Sequence, residues 1–277
     1  MLEAAIDAIH DSEPQLRAHW VVFDSCKETA DGIFAMAPTG DQAITWLVAS
    51  NFLTASFRLA ISSILLKASG YLDQGAILDR SLMDAHLHLL VLARDPIEAG
   101  LGFLLHVADR ETAGRESLAA QFDVGENPFG DEKYRQFLDH LRDQRGWYED
   151  LVRSRGFDPA KLKKKYGKLK QHGLISKEAA PGFCAIGDVL ADVAHVRGVQ
   201  LEPYTGMDES GRIVWRIDPV LTANIAVSSA QTLNVLTFCV LHAGRSVGFQ
   251  GIEEKSGHLQ DLVQRLLRVT APPVASP

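Results

Sequence analysis

AITWLVASNFLTASFRLAISSILL, residues 43–66, and VLTANIAVSSAQTLNVLTFCVLHA, residues 220–243, decide the fold. The first carries one charge, Arg58, and the second carries no Asp, Glu, Lys or Arg. Both approach the length of a membrane span. The second, however, holds Thr222, Asn224, Ser228, Ser229, Gln231, Thr232, Asn234, Thr237 and His242, a polar load that hydrocarbon tolerates poorly. Each is therefore read as a central helix, buried on most faces inside a helical bundle, and no membrane span is expected.

Working outward, Ile44, Leu47, Val48, Phe52, Ala55, Leu59, Ile61 and Leu65 recur mostly at three and four, as do Leu78, Leu82, Ala85, Leu89 and Leu92 in the next segment. That period is helical. Gly70, Asp95-Pro96 and the run GENPFG at 125–130 act as stops. The spacing predicts helices over 2–11, 14–36, 41–69, 72–94, 96–121, 131–155, 159–171, 182–197, 219–247 and 252–269. LEPYT and RIVWRI, flanking MDESG within 201–217, predict a small β-hairpin. The tail APPVASP, 271–277, has a composition suited to disorder. The expected architecture is an all-α, multi-helix bundle forming one domain over 1–270, with that hairpin inserted.

The chain has 277 residues, 46% hydrophobic and 23% charged, which excludes collagenous, wholly disordered and disulfide-scaffold classes. Cys26, Cys184 and Cys239 are widely spaced and odd in number, with no CxxC. With an early acid and Pro14, no signal peptide of ordinary form is expected. Together these predict a cytoplasmic protein. The formal charge of −7 is unevenly placed. From Lys133 to Gln171, twelve basic residues face five acids, a surplus of seven set in a remainder of −14. Lys161, Lys163, Lys164, Lys165, Lys168 and Lys170 form its densest part. RNA or another anionic partner is expected at 133–171, with Tyr134, Phe137, Trp147, Tyr148, Phe157 and Tyr166 interleaved as stacking groups.

GxGxxG, GxxxxGK[ST] and HExxH are absent, removing the usual sequence support for dinucleotide, P-loop and zincin chemistry. One formal GxSxG, Gly244–Gly248, follows a helical stretch rather than a strand and is read as a helix end. Two polar constellations remain. Arg80, Asp84 and His88 share a helical stripe within DRSLMDAHLH, and Asp188, Asp192 and His195 follow helical spacing within DVLADVAHVR. A carboxylate beside His195 would raise its basicity. No Glu-x-x-His occurs, so neither a metal nor another cofactor is expected.

GAILDRSLMDAHLHLLVLARDP and the later GDVLADVAHVRG resemble a widespread bacterial family of helical proteins of unknown function. Its shared pattern is Arg-Ser-Leu-x-Glu, an apolar run, Asp-Pro and a distant His. The resemblance spans roughly 45–245 and implies a pocket built from Arg80, Asp84 and His195, with Asp84 standing where the family pattern has Glu. It implies no reaction. A more distant similarity to HEPN-type helical ribonucleases rests on Arg-x(4–6)-His, met by Arg80 to His86 and by Arg135 to His140. The ribonuclease reading would make Arg80 or Arg135 a phosphate ligand and His195 or His140 an acid/base. The sequence thus supports a non-enzymatic binding or assembly module, with a homo-oligomer among the expected assemblies. The alternative is a metal-independent ribonuclease or defence-type RNA-processing protein.

Overall fold

The computed structural model describes residues 14–120, 131–169, 173–175, 205–207, 213–215 and 225–270. Among these are eight helices: α1 (Pro14–Phe34), α2 (Asp41–Ala68), α3 (Leu72–Arg94), α4 (Pro96–Ala119), α5 (Asp131–Ser154), α6 (Pro159–Gly167), α7 (Ile225–Ser246) and α8 (Ile252–Thr270). The chain is an all-α bundle. Local chemistry sets the helix ends. Pro96 opens α4 immediately after α3, and Pro159 opens α6, because proline fixes a helical φ and its missing N–H is not needed there. Asp158 caps α6, its carboxylate accepting from the Ala160 amide at 2.9 Å.

Glycines at positive φ, Gly70, Gly156 and Gly248, close α2, α5 and α7. At Gly70 (φ 85°) the Tyr71 amide reaches back to the Leu66 carbonyl and the Gly70 amide to that of Lys67. This double bond pattern closes the last turn of α2 at a φ that a side chain would strain. Gly248 (φ 65°) repeats it at the end of α7, with Phe249 bonding Gly244 and Gly248 bonding Arg245. The formal GxSxG is thus a helix terminus, and Ser246 donates to the Ala243 carbonyl at 2.8 Å.

The core sits around α7, which packs against α1, α2, α3 and α8. Leu233, Leu236, Cys239, Val240, Leu241 and Ala243 are all fully buried. Most of the circumference of α7 is thus removed from water, while Gln231, Asn234, Phe238, His242 and Arg245 form one stripe that stays partly or fully exposed. By length and composition α2 and α7 could also cross a membrane. α2 pairs most extensively with α3 and also touches α4, which carries α5 and α6 on its far side. Tyr166 of α6 is fully buried and occupies the space that a Cβ on Gly102 of α4 would need.

One boundary differs from expectation. α6 ends at Gly167 rather than 171, with Lys168 leaving helical geometry at φ −140° and ψ 61°. Gly167 lies so close to α4 that a Cβ would meet His106 Nδ1 at 2.7 Å. Thr205–Met207 and Ile213–Trp215 pair antiparallel, with Thr205 opposite Trp215 and Met207 opposite Ile213. The rest of 201–217, including the turn expected between them, lies outside the described residues. So do the helices expected over 2–11 and 182–197 and the tail 271–277.

Candidate functional site

The most elaborate polar centre joins α2, α3 and α7. Lys67, with no solvent exposure, donates to the Asp79 carboxylate, to Thr232 Oγ1 at 2.7 Å and to the Ser228 carbonyl at 3.1 Å. Asp79 Oδ1 accepts from Ser63 at 2.6 Å and from Thr232 at 2.9 Å. Gly75 makes room for this: a Cβ there would lie 2.6 Å from Lys67 Cγ. Burial depresses the Lys67 ammonium below the usual lysine range, against the opposing pull of Asp79. Every ammonium proton has an acceptor, so the arrangement is a satisfied buried ion pair that ties three helices together.

The second centre is histidine-rich. His86 and His242 face each other across α3 and α7, ring centroids 5.3 Å apart, with Phe238 alongside at 5.8 Å from His86. Burial pushes His86 down to about 3, helped by His242, and pushes His242 down to about 4, helped by the Arg245 guanidinium. Both are therefore neutral near pH 7. His88 turns instead into an aromatic cluster, stacked on Phe52 at 5.1 Å and edge-on to Phe103. Its Nδ1 lies 2.6 Å from the Asp84 carbonyl, which only accepts, so the neutral ring carries its proton there. Cys26 and Cys239 are free and buried, and burial raises each thiol to about 12. Neither is a nucleophile at neutral pH. Among the described residues no three His, Cys, Asp or Glu side chains converge on a metal position.

Of the expected site residues, Arg80 and Asp84 do meet, Nη1 to Oδ1 at 3.0 Å, as an intrahelical pair with Asp84 nearly half exposed. His195 and Lys170 lie outside the described residues. Arg135 and His140 are both exposed on α5, but five positions turn a helix through about 500°, leaving their side chains roughly 140° apart. Arg135 points to Glu132 at 3.8 Å. Arg80 and His86, six apart, diverge by roughly 120°, with His86 buried. Neither Arg-x(4–6)-His match forms a joint site.

The lysine run is divided by the helix. Lys163 bonds Asp109 at 2.7 Å and Lys165 bonds Glu98 at 2.6 Å, docking α6 onto α4. Lys161, Lys164 and Lys168 are exposed, Lys161 standing 4.0 Å from Asp158.

A different place has the form of a ligand site. A cleft of about 530 Å³ opens between the end of α4 and the start of α5, lined among the described residues by Arg115, Lys133, Tyr134 and Phe137. Tyr134 anchors the two helices, its hydroxyl donating to the Arg115 carbonyl at 2.9 Å. The Arg115 guanidinium lies 5.8 Å from the Phe137 ring centre, and Phe137 stays 38% exposed. Close by, Arg142 is held by Glu116 and Asp139. Arg115 and Lys133 have no carboxylate partner among the described residues. The lysine-and-aromatic signal at 133–137 was visible in the sequence; Arg115, eighteen positions upstream across the α4–α5 connection, was not.

Comparison with known proteins gave no match to a family model, to a curated protein or to a solved structure.

Proposed function

We propose that the chain is a non-enzymatic helical binding module whose ligand site is the α4–α5 cleft. One observation carries this reading: two cations without carboxylate partners among the described residues converge with two aromatic rings on a concave surface of about 530 Å³, the size range of small-molecule sites. No nucleophile or general base lines it among the described residues. The buried ion pair and the histidine pair support a structural role for the other polar groups, since each is enclosed by three and two helices respectively. The free, buried Cys26 and Cys239 fit a reduced, cytoplasmic setting. The paired strands at 205–207 and 213–215 fit a hairpin inserted over 201–217.

The test uses anilinonaphthalene sulfonate, an anionic aromatic dye, titrated into the folded protein by fluorescence. Binding at one site per chain is expected, lost in the double variant Arg115→Ala/Lys133→Ala with circular dichroism unchanged. Undiminished binding in that variant overturns the choice of site. Cleavage of labelled single-stranded RNA that disappears in His140→Ala overturns the non-enzymatic reading.

A further inference from the structure

We infer that the cleft takes a nucleotide-like ligand, an aromatic base carrying a phosphate; this rests on the cleft being the binding site, as proposed above. The two cations differ in kind. Arg115 offers a planar fork already set over one aromatic ring, and Lys133, exposed on the cleft lining, offers a compact point charge. Together they match a dianionic phosphate better than a single carboxylate. The walls supply the other half of the ligand. Phe137 presents a part-exposed ring and Tyr134 lies 6.3 Å from it, tilted by 42°. A flat heterocycle stacked on the part-exposed Phe137 ring gains an aromatic contact, and the Arg115 guanidinium beside that ring is placed to meet the phosphate.

The phosphate source is either a free nucleotide or a residue of a single strand, and α5 separates the two. Phe137, His140, Gln144 and Trp147 recur at three and four on its exposed side, with Trp147 60% exposed. Phe137 and Trp147 are about 15 Å apart along the axis. A strand with one base in the cleft would reach Trp147, whereas a mononucleotide would not.

The experiment is calorimetric titration of the full chain with AMP, adenosine, inorganic phosphate and an adenosine decanucleotide at low salt. AMP is expected to bind at least tenfold more tightly than adenosine or phosphate. Phe137→Ala should weaken AMP binding roughly ten- to hundredfold, as loss of one stacked base does, while Phe137→Trp retains it. Lys133→Ala should weaken AMP binding and flatten its salt dependence. Tighter binding of the decanucleotide, lost in Trp147→Ala, assigns the strand as source; equal binding insensitive to Trp147→Ala assigns the free nucleotide. If AMP binds no better than phosphate, or Phe137→Ala leaves it unchanged, the inference is overturned. If dye binding still depends on Arg115 and Lys133, the cleft survives that failure. If neither dye nor AMP binds, both readings fall.

Discussion

Lys67→Met tests the reasoning about the core most severely. The substitution keeps the apolar stem, which is fully enclosed, and deletes only the ammonium. Asp79 is then left 14% exposed with its counter-charge gone, retaining Ser63 and Thr232 as donors. Breaking a buried pair from one side costs about 3–5 kcal/mol, a large part of the roughly 5–15 kcal/mol that holds a domain folded. The double variant Lys67→Met/Asp79→Leu should be much milder. Ser63 keeps the Gly75 carbonyl as acceptor at 3.1 Å and Thr232 keeps the Ser228 carbonyl at 3.1 Å. No hydroxyl is orphaned, and the cost should fall to about 1–2 kcal/mol, since an apolar pair can replace a buried ion pair at little loss. Urea unfolding followed by circular dichroism measures all four corners of the cycle. A double variant that loses the sum of its singles would refute the claim that Lys67 and Asp79 exist for each other.

Acid should destabilise the protein before its carboxylates titrate. His86 and His242 bind protons in the unfolded chain near 6.5 but in the folded chain only near 3 and 4, so the unfolded state takes up protons first and stability falls as pH drops below 6.5. Between pH 7 and 5 each contributes a loss of roughly 2 kcal/mol; in His242→Gln, urea midpoints at the two pH values should differ by correspondingly less, and an unchanged difference would exclude His242 as a source. Arg80→Ala should cost only about 1 kcal/mol, mostly from its packed stem, because its partner Asp84 is 47% exposed and such pairs are weak. A loss comparable to Lys67→Met would place Arg80, not Lys67, at the centre of the polar network.

The helices were legible because their punctuation is local. Gly70, the Asp95-Pro96 step and Asp158-Pro159 act on their own neighbours, and the observed ends fall close to the expected ones. The polar centre was not legible in the same way. Arg80 and Asp84 stand out in sequence as a charged pair one turn apart, yet the inward phase of α3 runs through Gly75, Asp79, Leu82 and His86. A reader following the apolar residues rather than the charges would have found Asp79, since it lies three and four before the buried Leu82 and Met83. Its partner Lys67 is the only basic residue in the last turn of α2. That position suggests dipole complementation at a surface; only the packing of α3 and α7 over it turns it into a core residue.

The basic stretch shows why a charge count along the chain is a poor map of charge in space. Within it, Arg142, Arg155, Lys163 and Lys165 reach Glu116, Asp41, Asp109 and Glu98, none of which belongs to the stretch. Acids from α2 and α4 thus offset more than half of its surplus of seven. These bridges have a fold-level purpose: α6 is a short helix with few apolar residues of its own, Leu162 and Tyr166 being buried, and two lysines on acids of α4 fix its orientation. A lysine so engaged is a poor phosphate ligand, because binding would first have to break its existing pair. The cations left over decide where an anion can go. Lys161, Lys164 and Lys168 lie on an outward face, whereas Arg115 and Lys133 share a cleft with two rings. Concavity excludes water around an incoming charge and strengthens each contact, and that physical difference is why the proposed site is the cleft and not the longer lysine run.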